Sequence, residues 1–397
     1  MFHDIDLLLP RLIEIRRDIH QHPELSNREV RTAGLVADFL KKLDLDVQTG
    51  VAHHGVVALL HGEQPGPVIG IRADMDALPI CEAREVPYKS KTEGVMHACG
   101  HDVHTTIGLG TAAILAKYRN RLAGTVKFIF QPAEEGPPPG EKGGAPLMIE
   151  EGVLENPKPD VMFGLHVYPP LEVGKVGYTP GPSMAGAVEF RIKFLGTKVH
   201  GAYPHKGVDA IVVASQAVIQ LQTIVSRRID AQEAVVLSIG SIHGGNRFNI
   251  VADEVILSGT VRAMRPATID TVEALMRQVL EGVTSGFGAR YEFQYERLVP
   301  ALINDPELTL GMVPVLQEAV GKENLFPVPF RMGAEDFAFF AERIPSLFLA
   351  LGIANQEQGI TAAIHTPEFD VDESCLAVGV KAMVKLALGY STQKIAG

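Results

Sequence analysis

Apolar residues recur at helical spacing over residues 5–20, where Leu8, Leu12, Ile15 and Ile19 share one face. His20-Gln21-His22-Pro23-Glu24 ends that pattern, and Ser26 offers a cap for a second helix faced by Val30, Ala33, Leu35 and Leu40. Two unbroken apolar runs follow, 55–61 and 68–72, bounded by glycine or proline, and predict strands. A helix rich in Ala, Leu and Gly is expected over 102–118, a strand over 124–130, a Pro/Gly-rich surface loop over 137–144 and a buried strand over 161–165. Alternating strands and helices of this kind predict an α/β fold with an open sheet.

The polar residues that interrupt these runs are placed with some regularity. The run at 68–72 leads into Asp74 and Asp76, the strand at 124–130 into Gln131-Pro132-Ala133-Glu134-Glu135, and the strand at 161–165 into His166. In open α/β sheets ligands gather beyond the carboxyl ends of the strands. Three strands ending on Asp, Glu or His therefore point to one shared site.

The pattern changes after Lys175. Residues 177–186 read as a linker, followed by strand 188–195, helix 208–225, strands 235–243 and 254–262, helix 268–283 and strand 289–296. This βαββαβ order predicts a compact α+β unit of its own. Beyond residue 299 the α/β pattern resumes with helices over 307–320 and 334–343, a strand over 347–352 and a helix over 373–388. The expected layout is a catalytic domain of residues 1–183 and 298–397, interrupted by an inserted domain of residues 184–297. A chain of 397 residues suits two cores.

A net charge of −11 and the lack of any basic run argue against a nucleic-acid partner. Cys81, Cys99 and Cys375 are too few and too dispersed for a disulfide framework, so a reducing, cytoplasmic setting is expected. The first ten residues do not read as a signal peptide, and no membrane-spanning segment is expected.

One of the scarce cysteines lies in His97-Ala98-Cys99-Gly100-His101-Asp102-Val103-His104. Thiolate and neutral imidazole form a good divalent-metal pair, and Cys-x-His in a turn can aim both at one point. Adjacent Glu134 and Glu135, following an extended strand, point opposite ways. One can ligate a metal while the other shuttles a proton for a metal-activated water. His166 and His365 also follow apolar strand regions. Cys99, His101, Glu135, His166 and His365 together are too many ligands for one tetrahedral ion with an open position, and suit two ions bridged by the Cys99 thiolate. Asp74, Asp76 and Asp102 are then expected to orient imidazoles. Two other readings are a cysteine hydrolase with Cys99 as nucleophile and His101 as base, and an inactive metal-stabilised binding scaffold.

The chain resembles the metal-dependent amidohydrolases and aminoacylases of the hippurate hydrolase, N-acyl-amino-acid amidohydrolase and auxin-conjugate hydrolase type. The match is carried by residues 20–24, 72–79, 97–104, 130–135, 164–166, 333–337 and 365–367. The resemblance implies an open-sheet catalytic domain like that of dinuclear metallopeptidases, with an inserted α+β lid that pairs two subunits. It implies two divalent metals on Cys99, His101, Glu135, His166 and His365, with Glu134 as general base. It further implies that His200 stabilises the oxyanion in the partner subunit's site, and that Asn249 and Arg262 grip the substrate carboxylate. The expected substrate is a hippurate-like or N-acetyl amino acid, with a dipeptidase, a carboxypeptidase or an N-acetyl-diaminopimelate deacetylase as alternatives. The donor set leaves zinc, cobalt, nickel and manganese open, and a homodimer is expected, with a tetramer as the alternative. Asn249 is followed by Ile250-Val251-Ala252-Asp253 rather than the family's proline-containing turn, and residues 137–142 lengthen a loop close to Glu135.

Overall fold

The computed structural model describes residues 1–393, which form two compact units. Among the described residues the larger unit comprises 1–181, 303–329 and 339–393, and the smaller one 182–302 and 330–338. The segment 330–338 thus groups with the smaller unit, whereas the sequence layout placed all of 298–397 in the larger.

In the larger unit the chain begins with α1 (Phe2–Gln21) and α2 (Val30–Lys41). It continues through strands β1 (Asp46–Val51), β2 (Gly55–His61) and β3 (Gln64–Asp74). Then come α3 (His101–Lys117), β4 (Ala123–Gln131), α4 (Gly144–Glu150), β5 (Val161–Glu172) and β6 (Val176–Tyr178). β1 escaped the sequence reading because only Val51 of its six residues is buried. α4 escaped it because its first residues, Gly-Ala-Pro, read as loop. β5 runs past His166 to Glu172, so that histidine lies within a strand rather than at its end.

The smaller unit holds β7 (Gly186–Leu195), α5 (Ala210–Arg227), β8 (Val235–Gly244), β9 (Glu254–Ala263), α6 (Pro266–Phe287) and β10 (Arg290–Val299). These four strands pair antiparallel in the order β10-β7-β9-β8. Val213, Ala217 and Leu221 of α5 and Val272, Met276 and Leu280 of α6 are buried in one cluster with Phe190, Ile192 and Phe194 of β7. The larger unit is completed by α7 (Pro306–Val320), β11 (Leu325–Pro327), β12 (Ser346–Ala354) and α8 (Cys375–Gln393). The helix expected over 334–343 is confined to Ala338–Ala341.

The large sheet has the order β1-β2-β4-β3-β5-β12-β6-β11. Its centre, β4-β3-β5-β12, is parallel throughout. Strands covered on both faces read as continuous apolar runs, which is why 68–72 and 161–165 were legible. The parallel direction also puts the ends of β3, β4 and β5 on one edge, where the polar side chains noted above collect. Two helical windows, 210–227 and 375–392, are long and apolar enough to cross a membrane, which the sequence reading did not expect. The second is 72% buried within the protein, as a core helix is.

Under α3 lies a buried charge cluster. Arg16, fully buried, pairs with Asp102 at 2.7 Å, Glu373 at 3.4 Å and Asp370 at 3.5 Å, and lies over the Tyr88 ring. Asp102 is held far below the usual carboxylate range: burial opposes ionisation, but Arg16 and then His20 overcome it. Removing one partner of a buried ion pair strands the others. Arg16→Met is therefore expected to destabilise the protein by about 3–5 kcal/mol, read as a lowered urea midpoint. A change under about 0.5 kcal/mol, the size of an exposed pair, would show that these contacts contribute little.

Candidate metal centre

Cys99 and His101 flank Gly100, which has a left-handed φ of 88° at the start of α3. Glycine meets that requirement without strain. A Cβ there would also come within 2.6 Å of Val167, beside His166. The turn therefore brings the thiol and the first imidazole of α3 against β5. The Cys99 Sγ lies 3.3 Å from His166 Nε2 and 3.1 Å from His365 Nε2. His365 Nε2 is in turn 3.1 Å from Glu135 Oε1. Two groups of ligand atoms, Cys99/His101/His166 and Cys99/Glu135/His365, each fall within 4.8 Å and share the sulfur. A third, His101/Glu134/Glu135, joins them. All five expected ligands thus converge from α3, β5 and the segments after β4 and β12.

The hydrogen bonds around the cluster set its tautomers. His166 Nδ1 donates to the Val167 carbonyl at 2.7 Å, which leaves the Nε2 lone pair toward Cys99. His101 Nδ1 donates to Asp76 Oδ1 at 3.1 Å, which leaves Nε2 as the nitrogen that faces the carboxylates and can ligate a cation once its proton is displaced. That fixed second hydrogen bond is what orients a metal-ligating imidazole. His104 is different. Its Nδ1 donates to Asp74 at 2.6 Å and its Nε2 accepts from the Val167 N–H at 2.9 Å, so both nitrogens are spent and it buttresses His166.

Asp74 also pairs with Arg72 at 2.5 Å. Asp102 departs from expectation: Arg16 and the His20 imidazole both bind its Oδ2, so it ties α3 to α1 rather than orienting an imidazole of the cluster.

The residues present fit cations. His101 Nε2 and Glu135 Oε1 are buried, and neither makes a well-aligned hydrogen bond among the described residues, a costly state unless something else binds them. Burial pushes the Cys99 thiol well above its ordinary value, against the pull of His101. Burial opposes protonation of His101, yet Asp74, Cys99 and Asp76 raise it well above the usual histidine range. Burial, with His104 beside it, depresses His166. Positive charge is thus wanted at the centre of the cluster.

Glu134 Oε2 lies 3.7 Å from His101 Nε2 and Glu135 Oε1 lies 3.9 Å from it. The two neighbours therefore both reach the cluster. Glu135 approaches His365 to 3.1 Å and shares a ligand group with Cys99, and Glu134 joins through His101.

The other candidates belong to the smaller unit. His200 is exposed, and its Nδ1 accepts the Ala202 N–H at 3.0 Å, which keeps the proton on Nε2. Asn249 lies beside it, its carbonyl accepting the Gly201 N–H at 2.8 Å. Arg262 is near the far end of β9, half-buried, its Nε donating to Thr260 at 3.3 Å. Asn249 precedes the start of β9 and Arg262 lies eight residues beyond that start, about 26 Å along a strand. Within one chain the smaller unit does not bring Asn249 and Arg262 together.

Fold and site together define a metal-dependent amidohydrolase built on an open α/β sheet. The model of peptidase family M20/M25/M40 matches residues 70–389, and the chain belongs to that family. It is 39% identical to the putative amidohydrolase YhaA of Bacillus subtilis over 97% of this chain and 96% of that protein. It is 38% identical to an N-acetylcysteine deacetylase of the same organism, over 95% and 96%. The crystal structure of the Bacillus subtilis YXEP protein, titled a dinuclear metal-binding peptidase of the M20 family, superposes with a TM-score of 0.84. Its identity is 35%, covering 98% of this chain and 99% of that one.

Proposed function

We propose that the protein hydrolyses the amide bond of N-acyl amino acids, releasing a carboxylic acid and a free amino acid. The observation that carries this reading is the Cys99 sulfur set between His166 and His365, with the Glu134 carboxylate on the rim of the same cluster. The likeness to an N-acetylcysteine deacetylase supports an acylated amino acid as substrate. Cations held by Cys99, His101, Glu135, His166 and His365 would polarise the amide carbonyl and acidify water. Zinc, cobalt, nickel and manganese all suit this mixed donor set.

Glu134 then takes one proton from the attacking water. The water oxygen bonds to the acyl carbon, the C–N bond breaks, and Glu134 passes its proton to the leaving nitrogen. His200, with its proton fixed on Nε2, is suited to donate to the carbonyl oxygen as charge builds on it. Arg262 suits a carboxylate through bidentate geometry.

The separation of Asn249 from Arg262 supports a homodimer in which the site draws His200 and Asn249 from one copy and Arg262 from the other. The exposed Ile242 on edge strand β8 and Ile211, Val212 and Ile219 on α5 support the same reading. The three unpaired cysteines support a cytoplasmic location.

Side-by-side kcat/KM values on N-acetyl amino acids, N-benzoyl amino acids and dipeptides test the substrate class. Acylated amino acids are expected to exceed dipeptides by at least about tenfold, the effect of roughly 1.4 kcal/mol in the transition state. Preference for dipeptides would replace this reading with a peptidase.

A further inference from the structure

Glu29 is a glutamate that the chemistry above does not use. It immediately precedes α2 and is fully buried. Its Oε1 accepts two backbone N–H groups, from Asn27 at 3.0 Å and from Ala133 at 2.8 Å. Asn27 sits at φ 61°, which asparagine tolerates, but Ala133 sits at φ 55°, a left-handed conformation that alanine rarely adopts unless the surroundings hold it there. Ala133 directly precedes Glu134.

On the other side of Glu134, the Glu135 N–H donates to Asp76 Oδ2 at 3.0 Å. That same oxygen accepts the Ser26 hydroxyl at 2.7 Å. The backbone on both sides of Glu134 is thus gripped by two buried carboxyl groups, and both grips lead back to the corner at residues 26–29.

We infer that Glu29 is a positioning residue for Glu134: by holding the Ala133 N–H it imposes the left-handed turn that brings Glu134 to the same cluster as Glu135. This rests on the reading of Glu134 as the proton shuttle. Two successive residues after an ordinary extended strand point to opposite faces. The turn at Ala133 replaces that alternation, so both carboxylates reach one cluster. Burial and the nearby Asp76 carboxylate push the Glu29 carboxyl up to about 8, which agrees with a neutral acceptor beside a charged one. Glutamine retains the carbonyl oxygen that accepts both N–H groups, so it is the conservative replacement. Alanine removes the acceptor, and aspartate shortens it by one methylene.

The test compares Glu29→Ala, Glu29→Asp and Glu29→Gln with Glu134→Gln, measuring kcat, KM and bound metal for each. The expected result is a fall in kcat of about tenfold to a hundredfold in Glu29→Ala and Glu29→Asp, the scale of a misplaced catalytic group. KM and metal content stay unchanged, and Glu29→Gln retains wild-type kcat. Should Glu29→Ala not fold, Glu29→Asp and Glu29→Gln carry the comparison. The inference is overturned if the folded Ala or Asp variant keeps kcat within twofold, if it loses metal instead, or if Glu29→Gln is as impaired as they are. Full turnover in Glu134→Gln would overturn the shuttle reading itself. An inactive Glu134→Gln beside a normal Glu29→Asp would overturn only the positioning role.

Discussion

Glu134→Gln is expected to lower kcat by about 10²–10⁴-fold, the range that positioned proton transfer contributes. The amide keeps the shape of the side chain but neither takes a proton from water nor returns one to the leaving nitrogen. Glu135 makes the close approach to His365 and shares the sulfur group, whereas Glu134 stands 3.7 Å from His101 and is grouped with His101 and Glu135. Bound metal is therefore expected to be unchanged in Glu134→Gln and reduced in Glu135→Gln. Metal analysis beside steady-state rates reads both. Metal loss in Glu134→Gln together with a normal metal content in Glu135→Gln would reverse the two roles. Turnover within a few-fold of wild type in Glu134→Gln would place the proton transfer elsewhere.

Chelation is the second large effect. Removing cations is expected to abolish turnover reversibly and to lower the melting temperature. A ligand held at a thousand times its dissociation constant stabilises the folded state by about 4 kcal/mol. The effect also has a sign in pH. Without metal, Cys99 and His101 both bind their protons more tightly than ordinary thiol and imidazole groups. A cation must displace those protons, so its affinity rises with pH and falls in acid. Titrating metal-depleted protein at two pH values measures this directly. If chelators leave turnover intact while alkylation of Cys99 removes it, Cys99 acts as a nucleophile and the metal reading is wrong.

Much of the site was legible because its chemistry is local. His97-Ala98-Cys99-Gly100-His101 places a thiol and an imidazole on either side of one glycine, and a single turn aims them together. Asp74 and Glu134–Glu135 were legible because a continuous apolar strand announces where it ends. The role of Asp102 was not. From the sequence it is simply a carboxylate beside a candidate ligand, and its true partner, Arg16, lies 86 positions earlier on a helix whose apolar spacing gives no hint of a buried guanidinium. Glu29 was missed for a similar reason: a glutamate before a helix is ordinarily a solvated cap, and nothing nearby in sequence shows that the Ala133 N–H will arrive against it.

The residue identities alone named the side chains able to hold a cation, and periodicity by itself determined the alternation of strands and helices and the inserted βαββαβ unit. It did so because burial on one face or two imposes a repeat that needs no knowledge of the partner element. Only the tertiary structure decided that Cys99 meets His365 across 266 residues, that His104 spends both nitrogens on Asp74 and Val167, and that Asp102 belongs to Arg16. Those pairings follow from strand order and the parallel direction at the centre of the sheet, which are set by packing of the whole core and not by any local pattern.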